Sequence, residues 1–418
     1  MRIVVIGNGI AGNSVADKIR EHDIKSNISI ISKEDVCSYS ACVLANYLSG
    51  EIDRERVFVK KKVDYYINSI NTVFGKEAIK IYPKERRVLL CNNKELLYDK
   101  LVLATGSIPF LPKIKGSEKL GVFQFKTLSD IEQIISLDPK KVIVVGSGPI
   151  GIEASLALKK RDCDVYLVEA MEWIMPKLFD KEPSEIFKNI MEKNGINIRT
   201  GEKLLEIIGN HKVKAVKTNK DLLPCDSVIL AMGMKPNIEL ATNSGIKIGE
   251  MGGIKTDNFL KTSEDGIYAC GDCIEINSLH SNEKCLNMLW LNAKCQGSIA
   301  GLNVLGKKRR YYGSENIMSI NIFENYGLAV GKTKTSLEKY EGLEIKEKAK
   351  GDRYLKNIIL GDKIVGVQAI NEPNLIGTFV GLQRSQKNIQ NILTGNINYK
   401  EYISKYTLIH KNISYMTQ

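Results

Sequence analysis

A short apolar run, a glycine-rich turn and a segment of helical period open the chain. The apolar run Arg2–Ile6 predicts a strand, and the helical spacing of apolar residues then continues to about Arg20. Between them stands the pattern G-x-G-x-x-G, formed by Gly7, Gly9 and Gly12. This order of strand, glycine turn and helix predicts a unit whose turn and helix N-terminus approach a phosphate group.

The same order returns in the middle of the chain. Lys141–Val145 predicts a strand, and Gly146, Gly148 and Gly151 repeat the glycine pattern before a second segment of helical period. One such motif is weak evidence, but two matches in the required context are strong. We therefore predict an α/β protein with two Rossmann-like dinucleotide-binding folds.

Acidic residues after the next strands bear on which nucleotides these folds bind. In the second unit the strand DVYLV ends at Glu169, whose carboxylate can accept both ribose hydroxyls and repels a 2′-phosphate. We therefore favour NAD over NADP. In the first unit Ser32 holds the corresponding position, and Glu34 is the nearest acidic candidate or a surface residue.

Two later segments resemble each other and suggest an internal duplication. LVLATGSIPFLP, residues 101–112, is similar to VILAMGMKPNIE, residues 228–239. Each places an apolar strand before a glycine turn and a proline, and each is expected to pass near a bound cofactor. A further strand-like run ends at Gly271-Asp272, where a carboxylate can bind a polyol or ribose hydroxyl.

Composition indicates a globular protein of two to four domains. The 418 residues are 43% apolar, without a run long enough for a membrane span. The first strand begins at the initiator, so we expect no targeting segment and a cytoplasmic location. The net charge of +12 is explained best by a lysine-rich surface, and nucleic acid is not expected as a partner.

We expect the nine cysteines to be thiols rather than a disulfide framework. The single C-x-x-C, Cys270 to Cys273, has no second Cys or His pair at zinc spacing, so no metal site is expected.

These motifs resemble the FAD-dependent pyridine nucleotide-disulfide oxidoreductases over nearly the whole chain. The resemblance implies a discontinuous FAD domain at 1–112 and 250–310, an NAD(P)H domain at 113–249 and an α+β domain at 311–418 that mediates dimerisation. The nucleotide domains have the three-layer ββα form in this family. NADH would reduce the flavin, which passes electrons on.

The resemblance also assigns roles to individual residues. The FAD site would comprise Gly7, Gly9, Gly12, Glu34, Ala104, Thr105, Gly106, Gly271 and Asp272. The NAD site would comprise Gly146, Gly148, Gly151, Glu169 and Gly233. Glu153 corresponds to a residue near nicotinamide and flavin in relatives, or is a carboxylate favoured by the helix dipole.

The segment S-Y-S-A-C-V-L-A-N-Y-L-S-G, residues 38–50, leaves the electron acceptor open. It is similar to single-cysteine members such as coenzyme A disulfide reductases, NADH oxidases and peroxidases, with Cys42 at the reactive position. There, at a helix N-terminus and against the flavin, a thiolate would be stabilised. It also resembles relatives that lack a redox cysteine and serve rubredoxin, nitrite reductases or iron–sulfur enzymes. A Cys37–Cys42 dithiol is a weaker alternative, because the glutathione reductase motif and its His-Pro are missing.

The segment after Tyr311 resembles the electron-transfer and nitrite-reductase branch. It predicts two strand clusters, a hairpin turn at Gly361-Asp362 and an amphipathic helix. This tail slightly favours electron transfer between NADH and an iron–sulfur or other redox partner. The alternative is an NADH-dependent reductase of a disulfide, persulfide, oxygen or peroxide that uses Cys42. A non-enzymatic redox sensor is a third, less favoured hypothesis.

Overall fold

The computed structural model describes residues 1–279, 283–314 and 316–372. The helices within this part are α1 Ile10–His22, α2 Leu44–Ser49, α3 Lys62–Ile67, α4 Leu128–Leu137, α5 Pro149–Lys160, α6 Lys181–Lys193, α7 Glu239–Thr242, α8 Trp290–Val304 and α9 Lys334–Leu337. The strands of the first half are β1 Arg2–Ile6, β2 Asn27–Ile31, β3 Ile70–Val73, β4 Ala78–Tyr82, β5 Arg87–Leu90, β6 Glu95–Leu97, β7 Lys100–Leu103, β8 Ser107–Pro109, β9 Val122–Phe123, β10 Lys141–Val145, β11 Asp164–Val168 and β12 Asn197–Arg199. Those that follow are β13 Leu204–Gly209, β14 Val213–Thr218, β15 Leu222–Pro224, β16 Ser227–Leu230, β17 Met234–Pro236, β18 Ile254–Lys255, β19 Ile267–Ala269, β20 Ile274–Asn277, β21 Lys284–Cys285, β22 Ile317–Ile322, β23 Asn325–Gly331, β24 Leu343–Lys350, β25 Arg353–Leu360 and β26 Lys363–Ile370.

The first parallel sheet has the strand order β19-β7-β1-β2-β3. β1 pairs with β2 and β7 in a register that places Ile6 beside Ile31 and Leu103, and Leu103 pairs with Ala269. The glycine turn, the Ala104 loop and the Gly271 turn therefore start at the same carboxyl edge, where α/β sheets bind ligands. Helix α1 covers one face and packs closely on α8, because Gly297 lets α8 approach the Ala11 carbonyl of α1.

The second parallel sheet repeats this plan with the order β12-β11-β10-β16-β9. Its central strand β10 is wholly apolar after Lys141 and buried from Val142 onward, which is typical of a strand covered on both faces. Val145 pairs with Val168 and Leu230, so the second glycine turn also emerges beside an acidic residue and a proline loop.

The two similar proline segments pair with each other. β8 and β17 form an antiparallel ladder in which Ser107 lies opposite Pro236 and Pro109 opposite Met234. The Thr105 hydroxyl also donates to the Asn237 carbonyl at 2.7 Å. The two similar segments, which close the two folds, therefore contact each other directly.

Of the described residues, 173–191 and 316–372 form a second compact unit, whereas the first comprises 1–172, 192–279 and 283–314. Its antiparallel sheet has the order β22-β23-β26-β25-β24, and Gly361-Asp362 forms the predicted hairpin turn between β25 and β26. The fully buried ammonium of Lys356 lies 3.2 Å from Asp180 and 2.7 Å from Glu182, which fixes residues 173–191 to the sheet. Such a buried cation is tolerated because carboxylates surround it.

The predicted fold class is confirmed, with two parallel sheets of nucleotide-binding type and a separate C-terminal sheet. The predicted boundaries at 112, 249 and 310 stay a prediction. The predicted C-terminal amphipathic helix lies outside the described residues.

Candidate cofactor and thiol site

The first glycine turn joins β1 to α1 through backbone that a side chain would obstruct. Gly7 has φ +119°, and a Cβ there would lie 2.0 Å from the Ala104 carbonyl oxygen. A Cβ at Gly12 would lie 2.0 Å from the Gly7 carbonyl oxygen, whereas one at Gly9 would meet no atom within 4 Å. Protein backbone therefore packs against the turn at Gly7 and Gly12, whereas the space at Gly9 is open. A diphosphate fits in this space, in front of the free N–H groups of α1.

The second glycine turn has the same form between β10 and α5. A Cβ at Gly146, where φ is +99°, would lie 2.4 Å from the Ala231 carbonyl oxygen, and one at Gly151 would lie 1.9 Å from that of Gly146. A Cβ at Gly148 again meets nothing within 4 Å. Pro149 begins α5, where its missing N–H removes no helical hydrogen bond. Both turns thus fit a dinucleotide.

The acidic residues of the two folds have different partners. Glu169 is buried, and its Oε2 accepts hydrogen bonds from the Ser147 N–H at 2.8 Å and the Ser147 hydroxyl at 2.6 Å. Its Oε1 accepts from the Met171 N–H at 2.9 Å, which leaves a lone pair for a hydroxyl. Glu34 accepts from the Tyr39 hydroxyl at 2.9 Å, and burial raises the pKa of the Glu34 carboxyl.

The remaining predicted cofactor residues lie in loops at the edges of the sheets. Gly106 and Gly233 have φ of +69° and +108°, so these loop positions need glycine. Gly271, with φ +84°, donates its N–H to the Gln296 side chain at 2.7 Å. Asp272, the next residue, accepts from the Ser107 hydroxyl at 2.8 Å, which holds its carboxylate at the Thr105 loop.

Cys42 lies close enough to Glu153 for the two side chains to interact electrostatically. Cys42 lies in a 3-10 turn, Ala41–Val43, before α2, and the residue is exposed. The charges of Glu153, Lys126 and Asp272 all act on its thiol. Burial raises the pKa of the Glu153 carboxyl to about 7, so this side chain holds a proton near neutral pH.

The protein itself raises the pKa of the Cys42 thiol, and a Cys42 thiolate stabilised against the flavin stays a prediction. Although the residue is exposed, the surrounding protein desolvates its sulfur and raises the pKa of the thiol; Glu153 and Asp272 add to this increase. The Ser40 hydroxyl and Lys126 oppose it. The helix that follows is short and starts after Cys42, so its N–H groups do not outweigh burial.

Cys37 and Cys42 lie in different surroundings. Cys37 is half-buried and the charges acting on its thiol belong to Lys62 and Asp64, whereas those acting on Cys42 belong to Glu153, Lys126 and Asp272. The two thiols therefore respond to different charges, and the Cys37–Cys42 dithiol stays a prediction. Cys270 and Cys273 are fully buried, as thiols that pack in the core are.

Sequence reasoning missed the residues that orient these groups. Lys126 reaches the Ser107 hydroxyl at 3.3 Å, and Ser107 in turn holds Asp272. Ser107 and Asp272 are 165 residues apart in the chain, so no local pattern signals their contact. Ser147 stands inside the glycine motif, at a position where the motif itself allows any residue.

The model of the pyridine nucleotide-disulphide oxidoreductase family matches residues 1–297. The chain belongs to this family. Its cofactors are therefore FAD and NAD(H), and it is an oxidoreductase. The glycine turns described above have the shape that these cofactors require.

Curated relatives of similar identity have different activities. An NADH oxidase of Methanocaldococcus jannaschii is 35% identical over 75% of this chain and 72% of its own length. A CoA-dependent NAD(P)H sulfur oxidoreductase of Pyrococcus furiosus is 30% identical over 79% of this chain and 76% of its own. The assimilatory nitrate reductase electron transfer subunit of Bacillus subtilis is 31% identical over 66% of this chain, but only 36% of that protein is covered.

The fold matches solved structures of this kind. An NAD-dependent persulfide reductase from A. fulgidus has a TM-score of 0.88 at 26% identity and covers 95% of this chain and 79% of its own. Among the described residues, no helix is long and apolar enough to cross a bilayer.

Proposed function

We propose that the protein is an NADH-dependent reductase of sulfur–sulfur bonds, in persulfides or disulfides, and that Cys42 is its reacting thiol. One observation carries the proposal: Cys42 is an exposed residue, and its thiol lies within the electrostatic reach of Glu153 and Asp272. A cysteine that served only packing would be buried, as Cys273 is. The sulfur and persulfide reductases among the relatives support the same chemistry.

The site residues keep their predicted roles within this proposal. Gly7, Gly9, Gly12, Glu34, Ala104, Thr105, Gly106, Gly271 and Asp272 hold FAD, and Gly146, Gly148, Gly151, Glu169 and Gly233 hold NADH. When bound, FAD accepts a hydride from NADH and supplies two electrons to sulfur. The protein contributes position, exclusion of water and a proton.

The thiol chemistry balances for a substrate R–S–S–R′. The Cys42 sulfur attacks one sulfur, its thiol proton passes to the departing sulfur, the S–S bond breaks, and R′–SH leaves. The mixed disulfide between Cys42 and R–S then takes up two electrons and two protons, which releases R–SH and restores the Cys42 thiol. The sum is NADH + H⁺ + RSSR′ → NAD⁺ + RSH + R′SH. A Glu153 carboxyl with a pKa of about 7 can supply the proton to the leaving sulfur.

The decisive experiment is anaerobic stopped-flow reduction and reoxidation of the flavin in wild type, Cys42→Ser and Cys37→Ser. NADH should reduce the flavin at similar rates in all three. Reoxidation by a low-molecular-weight persulfide or by coenzyme A disulfide should be at least about 100-fold slower in Cys42→Ser, because no other thiol takes its place. Cys37→Ser should behave as wild type. Equal reoxidation of wild type and Cys42→Ser would refute the role of Cys42.

Electron transfer to a protein partner is the second candidate. It is favoured by the electron-transfer subunit of nitrate reductase and by the large subunit of an Escherichia coli nitrite reductase, 30% identical over 66% of this chain. In that case an iron–sulfur carrier would reoxidise wild type and Cys42→Ser equally, and sulfur substrates would fail with both. A homodimer held by residues 311–418 also remains a proposal.

A further inference from the structure

The hydroxyl of Ser147 and the carboxylate of Glu169 form a buried contact at the second glycine turn. Ser147 is fully buried, and Glu169 is 9% exposed. Both the N–H and the hydroxyl of Ser147 donate to one carboxylate oxygen, and the Met171 N–H donates to the other. Three donors therefore fix the position and plane of the carboxylate, which is the geometry of a strong charge-assisted contact.

The sheet register brings these two residues together. Val145 and Val168 are paired on neighbouring strands, and the Gly146 N–H donates to the Val168 carbonyl at 2.8 Å. Ser147 and Glu169 thus leave the sheet side by side. With φ +99° at Gly146, the chain turns back over the strand end, so the N–H of Ser147 reaches the carboxylate.

The cation on the neighbouring strand β12, Arg199, is already paired with acidic residues. Arg199, paired with Val168, lies 2.9 Å from Asp221 and 3.7 Å from Glu202. Glu202 is buried and accepts from the Thr218 hydroxyl at 2.6 Å. An arginine that received a 2′-phosphate would have to leave these acids.

We propose that Ser147 is a specificity-determining positioning residue, which locks Glu169 in the orientation that accepts ribose hydroxyls and excludes a 2′-phosphate. The inference rests on the proposed role of Glu169. A carboxylate that could rotate away would leave room for the phosphate, whereas a carboxylate held by three donors stays in place and repels it. Selection for NADH thus depends on the side chain inside the glycine motif as well as on the acid.

The test measures NAD⁺ and NADP⁺ binding to the oxidised, FAD-loaded protein by calorimetry, where no turnover takes place. Ser147→Ala should lower the ratio of the NADP⁺ and NAD⁺ dissociation constants roughly tenfold, the effect expected for one hydrogen bond to a charged group. Ser147→Gly, which also lacks the hydroxyl, should do the same. Ser155→Ala removes an equally buried hydroxyl, bonded to the Gly151 carbonyl, and should leave the ratio unchanged.

A double-mutant cycle separates the positioning role of Ser147, called the lock below, from the role of Glu169 itself. Glu169→Ala should lower the ratio at least as much as Ser147→Ala, and Ser147→Ala should then have no further effect in the Glu169→Ala background. If Ser147→Ala and Ser147→Gly weaken both nucleotides equally while Glu169→Ala changes the ratio, Ser147 only shapes the turn and the lock is refuted. If Glu169→Ala leaves the ratio unchanged, the proposed role of Glu169 fails and the lock fails with it.

Discussion

The two nucleotide folds share a backbone but differ in the side chains at equivalent positions of their glycine turns. The first has Asn8 between its first two glycines, and its amide donates to the Val36 carbonyl at 3.0 Å. The second has Ser147 there, whose hydroxyl and N–H both bind Glu169. The first turn is thus tied to the segment that leads to Cys42, and the second to Glu169, the acid proposed to select the nucleotide.

A second difference lies two residues after the last glycine of each motif. Ser14 holds this position on α1 and Glu153 holds it on α5. Both side chains start from the same turn of their helices, but only the carboxyl can store a proton near neutral pH, because burial raises the pKa of Glu153 to about 7. One scaffold, used twice, thus offers a carboxyl that holds a proton in its second copy and a hydroxyl at the equivalent position of its first.

The largest effect is expected from the third glycine of each motif. Gly151→Ala brings a Cβ to 1.9 Å from the Gly146 carbonyl oxygen, so the turn must shift. NAD⁺ binding should fall by about 100-fold or more while FAD stays bound. Gly12→Ala, with a Cβ 2.0 Å from the Gly7 carbonyl oxygen, should instead yield protein without flavin. The flavin absorbance per protein and NAD⁺ calorimetry measure the two effects.

Gly148→Ala is the matched control, because its Cβ meets no protein atom within 4 Å. It should leave the Tm unchanged, whereas Gly151→Ala should lower it. Loss of flavin from Gly151→Ala, or of NAD⁺ binding from flavin-loaded Gly12→Ala, would show that the folds do not bind their cofactors separately.

A smaller effect is expected from the proton on Glu153. Its pKa rises from an ordinary 4.5 to about 7 in the folded protein, so the folded state binds the proton more tightly than the unfolded chain. This contribution to stability is present below about pH 4.5 and is lost as the pH rises to about 7. Relative to Glu153→Gln, wild type should therefore lose about 1–3 kcal/mol between pH 5 and pH 8.

Thermal unfolding of both proteins across this range measures the change. Ser14→Ala should unfold with the pH dependence of wild type, since it removes no titrating group. If the stabilities of wild type and Glu153→Gln change with pH in parallel, Glu153 does not bind its proton more tightly in the folded protein.

The smallest effect is expected at Glu34, the acid of the first fold. Glu34→Ala should weaken FAD binding by roughly tenfold or less, because a ribose contact is one of many to the cofactor. Tyr39→Phe keeps the Glu34 carboxylate but removes the hydroxyl that donates to it, and should weaken FAD binding less than Glu34→Ala does. Titration of the apoprotein with FAD, followed by flavin fluorescence, gives both constants. An unchanged constant for Glu34→Ala would remove this residue from the ribose site.

Much of the fold could be predicted from local pattern alone. The strands Arg2–Ile6 and Lys141–Val145 have the predicted bounds, since a short apolar run before a glycine turn has few other conformations. The glycine turn and the helix after each of these strands were predicted from the same motifs. The surroundings of the Cys42 thiol could not be predicted from local pattern, because its pKa depends on burial and on charges contributed by distant residues.

The order of residues within short stretches of the sequence therefore determined the two glycine turns, the two parallel sheets and the family to which the chain belongs. The tertiary structure alone decided which side chains meet: β8 on β17, Ser107 on Asp272, and the charges of Glu153 and Lys126 around Cys42. The physical reason is that strand and turn preferences act over a few residues. Hydrogen bonds and desolvation act through space, between segments that only the packed fold brings together.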